Sequence, residues 1–187
     1  MTRIIAGTHG GRRLTAPAGI RTRPTSDRVR EALFSSLATM TALSGARFAD
    51  LYAGSGAVGL EALSRGASHA LLVESEARAA QVIRGNIVTL GLGSAARLVT
   101  GTVRKVVSSP PDGDPFDVVF ADPPYAATDR EILDVQRGLL DNGWLVPDAV
   151  LVVERSTRTP SMNWVDGVTA DRSRTYGETT LWYGRRS

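Results

Sequence analysis

Two clusters of residues have types and spacing suited to chemistry. The first is Phe48-Ala49-Asp50-Leu51-Tyr52-Ala53-Gly54-Ser55-Gly56-Ala57-Val58-Gly59-Leu60-Glu61, an apolar run entering a glycine turn and then a helical segment. Gly54 and Gly56 lack a Cβ, so their backbone tolerates positive φ and close approach by a ligand. Glu74 follows at the end of the next apolar segment, with Ser75 beside it, where a carboxylate can accept from both hydroxyls of a ribose. These are nucleoside-binding parts. Gly54, Gly56 and Gly59 also satisfy the dinucleotide pattern GxGxxG, which brings an NAD-dependent oxidoreductase into consideration. Two features oppose it. Asp50 stands where methyltransferases commonly hold the methionine end of S-adenosylmethionine, and no second nucleotide-binding half is recognisable. The plainest alternative is a glycine turn that only packs helix on strand.

The second cluster is Asp122-Pro123-Pro124-Tyr125, which ends the apolar run Phe116 to Ala121. Proline cannot continue a central strand, so the chain leaves the sheet at its carboxyl edge, where open α/β folds bind ligands. The amino group of a nucleic-acid base is a poor nucleophile because its lone pair is delocalised into the ring. Two acceptors aimed at its hydrogens, the Asp122 carboxylate and the Pro123 carbonyl, would localise that pair. Asp122 would also stabilise the developing positive charge and take the released proton. Pro123-Pro124 stiffens the geometry, and Tyr125 offers a ring on which an unstacked base can lie. Read alone, Asp122 is turn chemistry and Tyr125 core packing. The tetrapeptide gains its meaning from the glycine loop upstream.

The elements that must position these residues are legible from periodicity. Strand-like segments at residues 46–52, 69–73, 96–100, 117–121 and 149–153 alternate with helical ones at 58–64, 77–90 and 130–140, the signature of a parallel sheet. Ahead of them, Val29, Leu33, Leu37, Met40 and Leu43 predict a helix from Asp27 with Ser26 or Asp27 as its N-cap. Arg3 to Gly7 and Gly10 to Leu14 predict a hairpin, and residues 168–174 and 179–184 a second, antiparallel one around Tyr176-Gly177. The division expected is 1–26, a basic hairpin extension and linker, and 27–187, the catalytic domain.

Charge is uneven along the 187 residues. The net +3 separates into +6 for residues 1–30, −6 for 31–154 and +3 for 155–187. An acidic centre suits a cationic cofactor, and basic ends suit phosphate. Because 21 of the 22 basic residues are arginine, part of this bias can reflect codon composition. Zero cysteines exclude a thiolate nucleophile, a thiolate zinc site and disulfides. His9 and His69 lack partners at ligand spacing, so no metal is expected. No apolar run reaches membrane-spanning length, Met1 to Arg13 lacks a secretory apolar stretch, and a cytoplasmic monomer is expected.

These motifs, with Arg3-Ile4-Ile5-Ala6-Gly7, Gly11-Arg12, Tyr176-Gly177 and above all Arg23-Pro24-Thr25-Ser26-Asp27-Arg28-Val29-Arg30-Glu31-Ala32-Leu33-Phe34, resemble the RsmD family, the 16S ribosomal RNA guanine-N2 methyltransferases of bacteria. The resemblance implies a Rossmann-like, seven-stranded, mostly parallel α/β sheet ending in an antiparallel hairpin. It also implies S-adenosylmethionine as donor, S-adenosylhomocysteine as product, and one guanine of 16S rRNA in the assembled small subunit as target. Cofactor contacts are expected from Arg23 and Thr25 at the carboxylate end, from Asp50, Tyr52, Ala53, Gly54 and Gly56, and from Glu74, Ser75 and Asp122. Many amino methylases carry an acidic or amide side chain after the third strand. This chain has Gly101-Thr102, so backbone around Gly101 to Val103 is expected to recognise the adenine. RNA contacts are expected from Arg3, His9, Arg12, Arg13 and Arg21. The alternatives are an adenine-N6 DNA methyltransferase, opposed by the absence of a target-recognition domain, and a non-catalytic RNA-binding assembly factor, opposed by the intact Glu74 and Asp122-Pro123-Pro124-Tyr125.

Overall fold

The computed structural model describes residues 2–18 and 25–187, so Arg21 and Arg23 lie outside the described residues. Five parallel strands form the sheet centre: β3 (Arg47–Leu51), β4 (His69–Glu74), β5 (Ala96–Thr100), β6 (Phe116–Ala121) and β7 (Leu145–Ser156). β8 (Val168–Tyr176) and β9 (Thr179–Arg186) complete it antiparallel, in the order β5-β4-β3-β6-β7-β9-β8. The first central strand, β3, lies between β4 and β6, so the chain reverses direction across the sheet there. Open α/β sheets bind ligands at the carboxyl edge of such a switch point.

Both faces are covered. α1 (Asp27–Met40), α2 (Ala57–Ser64) and α3 (Ala77–Leu90) pack on the face that presents Phe48, Leu72, Phe120 and Val152. α4 (Val103–Val107) and α5 (Asp129–Asp141) pack on the face that presents Leu51, Val73, Val119 and Leu151. Ser26 caps α1 by accepting from Val29 N, and Thr128 with Glu131 closes a capping box at the start of α5. The box fixes the chain just after Asp122-Pro123-Pro124-Tyr125.

The N-terminal hairpin is shorter than its pattern predicts. Only Thr2–Arg3 (β1) and Arg13–Leu14 (β2) pair as strands. The N–H groups of Ile5 and Ala6 leave the ladder for the carboxylate of Glu61 on α2, at 2.8 and 3.0 Å. Gly7, at φ +84°, lies so close to α2 that a Cβ would sit 1.8 Å from the carbonyl oxygen of Ser64. The hairpin pairs at its base, with Ile4 N donating to Arg12 O and Gly11 N to Ile4 O, and docks the rest of its first arm on α2. Ile4 and Leu14 join the main core, and Arg30, fully buried on α1, donates to the carbonyl of Arg3 at 2.5 Å and to Asp27 at 2.9 Å. The other helices and strands lie where expected to within a few residues. α1 stops at Met40 short of Leu43, and α4 is additional.

Candidate active site

Strand register determines which acids share the carboxyl edge. Leu72, Asp50, Phe120 and Val152 are cross-strand partners in one row over β4, β3, β6 and β7. Side chains alternate faces with period two, so two residues further along Glu74, Asp122 and Glu154 project from the same face as Asp50. Four carboxylates therefore gather at the ends of four adjacent strands. A cleft of about 520 Å³ opens there, lined by Thr25, Asp50, Tyr52, Ala53, Gly54, Glu74, Ser75, Gly101, Thr102, Val103, Asp122 and Pro124 among others. Its size lies within the ~300–1,000 Å³ usual for small-molecule sites.

The glycine turn is held from below. The N-cap of α2 is Gly56, at φ +80°, which has no side chain to cap the helix. Asp50 performs that function from β3: its Oδ2 accepts from Gly59 N at 2.8 Å, satisfying a free N–H of the first turn. Gly59 itself packs against the strands, since a Cβ there would lie 3.1 Å from Leu72 Cδ2 and 3.2 Å from Asp50 Cβ. Asp50 is only 1% exposed, and burial, reinforced by the charge of Glu74, pushes its carboxyl from 3.8 to about 7. Glu74 closes the turn from above, accepting from Gly54 N at 2.8 Å and from Glu76 N at 2.8 Å. Tyr52 takes φ +65°, an uncommon conformation for a non-glycine residue, between β3 and the turn.

The residues present fit a nucleoside bearing a cationic sulfur. Gly54, at φ +58°, has open space where a Cβ would stand, so its backbone is bare toward the cleft. Each Glu74 oxygen accepts one backbone N–H and retains acceptor capacity for ribose hydroxyls. Gly101 N donates to Glu74 O at 3.0 Å, and Thr102 caps α4, so the segment facing an adenine presents mostly backbone. A cationic sulfonium at this edge would favour the ionised forms of Asp50 and Asp122, whose carboxyls burial holds high.

At the far end Asp122 is half-buried, and desolvation pushes its carboxyl from 3.8 to about 8, with Glu154 and then Asp50 adding to the effect and Arg155 opposing it. Pro123 is buried and lines a small apolar cavity against α5, whereas Pro124 lines the cleft. Tyr125 is 78% exposed, which excludes core packing as the reason for its ring. The structure thus brings Asp122, Pro124 and the glycine turn around one cleft and leaves Tyr125 at its rim.

The family model described as "Conserved hypothetical protein 95" matches residues 2–185. "Ribosomal RNA small subunit methyltransferase D" of Escherichia coli (strain K12) is 41% identical over 167 residues, covering 87% of this chain and 80% of that protein. "Putative rRNA methyltransferase YlbH" of Bacillus subtilis (strain 168) is 34% identical over 179 residues, 95% of each. The crystallographic relative "Putative methyltransferase yhhF from Escherichia coli" superposes with a TM-score of 0.87 at 33% identity, covering 100% of this chain and 98% of that one. The chain belongs to the RsmD family. An RNA methyltransferase from Salinibacter ruber in complex with S-adenosyl-L-homocysteine, 16% identical with a TM-score of 0.64 over 87% of this chain and 93% of that one, shares the Rossmann-like fold.

Several expected RsmD-family contacts have structural partners already. Thr25 reaches the cleft, but its hydroxyl donates to Glu154 Oε2 at 3.0 Å. Arg12 donates to Thr89 O at 2.7 Å, Arg3 lies 3.4 Å from Asp27, and His9 shares a 2.9 Å hydrogen bond with Thr8. Arg12 and Arg13 are nevertheless exposed. Sequence reasoning missed Glu154, because a strand read as ending at Val153 hides an acid placed just beyond it. Among the described residues no group of three or more His, Cys, Asp or Glu side chains is placed to hold a metal ion, and no helix is long and apolar enough to cross a membrane.

Proposed function

We propose that the chain transfers the methyl group of S-adenosylmethionine to the exocyclic N2 of one guanine in 16S rRNA, within the assembled small subunit. The observation that carries this reading is the juxtaposition at one sheet edge of the glycine turn braced by Asp50 and Glu74, the half-buried acid Asp122, and the exposed ring of Tyr125. Bound there, S-adenosylmethionine supplies an electrophilic methyl carbon and leaves as S-adenosylhomocysteine.

Gly54, Glu74 and the backbone of Gly101 to Val103 hold the nucleoside in this reading. Asp50, Tyr52, Ala53, Ser75, Thr25 and Arg23 complete the pocket. Tyr125 stacks the unstacked base, and Asp122 with the Pro123 carbonyl accepts hydrogen bonds from its amino group, aiming the nitrogen lone pair into the cleft. Residues 1–26 form the basic, RNA-facing extension and 27–187 the methyltransferase domain of a cytoplasmic monomer. Arg3, His9, Arg12, Arg13 and Arg21 contact phosphate. No metal takes part.

Incubation with methyl-labelled S-adenosylmethionine and, separately, undermethylated small subunits, naked 16S rRNA and duplex DNA tests the proposal. Label should enter guanine N2 of the subunit. Label in adenine of DNA would support the DNA-methylase alternative, and no transfer to any of the three would leave the binding-factor alternative.

A further inference from the structure

Glu154 has no part in the site as described, yet it is placed to govern Asp122. It is 9% exposed, sits outside the lining of the cleft, and occupies the strand beside Asp122 at the same level of the sheet. Thr25 donates to its Oε2 at 3.0 Å from the segment ahead of α1, and Thr179 at the start of β9 donates as well. Burial pushes the Glu154 carboxyl above its ordinary value, and these hydroxyl donors oppose that push by favouring its ionised form. Asp122 receives no side-chain hydrogen bond among the described residues, so the two acids are supported unequally.

The other charged and titratable groups of the described residues near the pair are few. Asp50 on β3 faces Asp122, and Glu74 on β4 faces Asp50 in turn. Arg155 on β7 is a nearby cation whose Nη2 donates to Ala127 O at 3.2 Å, Tyr52 lies above β3, and Tyr183 on β9 pairs with Val152 deeper in the sheet. Negative charge predominates, and two neighbouring carboxylates in such a field do not both ionise freely.

We propose that Glu154 is a positioning residue for methyl transfer: drawn toward its ionised form by Thr25 and Thr179, it strengthens the adjacent Asp122 carboxylate as the acceptor of the proton lost by the base amino group. This rests on the reading that Asp122 meets that amino group. In the step, the nitrogen lone pair forms the N–C bond while the S–C bonding pair stays on sulfur. One N–H proton passes to Asp122 and then to water. Burial supplies the larger part of the basicity of Asp122, and a charged neighbour adds to it.

Two measurements on the full chain test it: carboxyl-carbon NMR titration of Asp122 in the cofactor-free protein, and pH–rate profiles on small subunits at saturating S-adenosylmethionine. Glu154→Gln should lower the Asp122 midpoint by about one pH unit and move the acid limb of the profile down with it. kcat on the plateau should fall by up to about tenfold with KM for the subunit unchanged. Thr25→Val should shift the midpoint the same way, because Glu154 then takes the proton, and Thr25→Ser should restore it. The Thr25 pair carries the test if Glu154→Gln does not fold. An Asp122 midpoint unmoved by Glu154→Gln, or by Thr25→Val where that variant stands in, overturns the proposal. Near-native turnover by Asp122→Asn would instead overturn the underlying reading of Asp122.

Discussion

Replacing Asp122 by Asn should stabilise the cofactor-free protein at alkaline pH while abolishing turnover. Burial, Glu154 and Asp50 together hold the Asp122 carboxyl at about 8 against an ordinary 3.8. Between those values the folded state keeps a proton that the unfolded chain has released. Raising the pH through that window therefore favours unfolding, and the stability present at pH 4 is progressively lost by pH 8. At about 1.4 kcal/mol per pH unit the full displacement would be worth about 6 kcal/mol in a sealed site. Asp122 faces an open cleft, and water at its mouth reduces this to about 2–3 kcal/mol. Asparagine mimics the neutral acid, so wild type and Asp122→Asn should melt together at pH 5. For a chain of this length the difference corresponds to roughly 4–10 °C in Tm at pH 8.5, with the variant higher. Asp50, held at about 7, tilts both curves in the same direction. Saturating S-adenosylmethionine, a cation, should narrow the gap. Thermal denaturation of both proteins across pH 5 to 8.5 is the assay. Parallel curves would show that Asp122 is not held protonated, and the electrostatic account of this edge would be wrong.

Glu74→Ala removes the 2.8 Å bond that braces the glycine turn at Gly54 and a second one to Glu76 N, and should weaken S-adenosylmethionine binding by roughly 1–3 kcal/mol in calorimetry, with the fold intact. Tyr125→Ala should lose most turnover through poor base positioning, whereas Tyr125→Phe should keep most of it, because a ring 78% exposed contributes its face rather than its hydroxyl. Equal damage in the two variants would remove stacking from the mechanism. Glu61→Ala leaves the Ile5 and Ala6 N–H groups and Arg65 without their buried acceptor, and should cost about 2–4 kcal/mol in chemical denaturation. It should weaken RNA binding more than cofactor binding, since the hairpin loses its anchor.

The parallel sheet was legible because its strands are apolar runs separated by well-capped helices, and those signals are local. α4 was not: Val103–Val107 is too short to show a helical period and is defined by its Thr102 cap and its packing. The N-terminal hairpin forms as its pattern predicts, but with shorter strands, because Glu61, more than fifty residues away, takes two N–H groups from the ladder. Asp50 and Glu74 were found from their spacing to the glycines. Their hydrogen bonds to Gly59 and Gly54, which make them supports of the turn as well as lining, depend on tertiary geometry.

The segment from Thr25 to Arg30 shows how a sequence mark can be specific while its meaning stays hidden. Thr25 bonds Glu154, Ser26 caps α1, Asp27 meets both Arg3 and Arg30, and Arg30 holds the Arg3 carbonyl. Six residues thus join the N-terminal hairpin, the first helix and the acidic edge of the sheet. In sequence they resemble a ligand-binding motif, because every member is polar or charged except Val29. In the structure most of their polar contacts are internal. The consequence for the site is direct: the segment that anchors the N-terminal hairpin also carries the hydroxyl on Glu154, so docking of the hairpin and the acidic edge at Asp122 share one mechanical support.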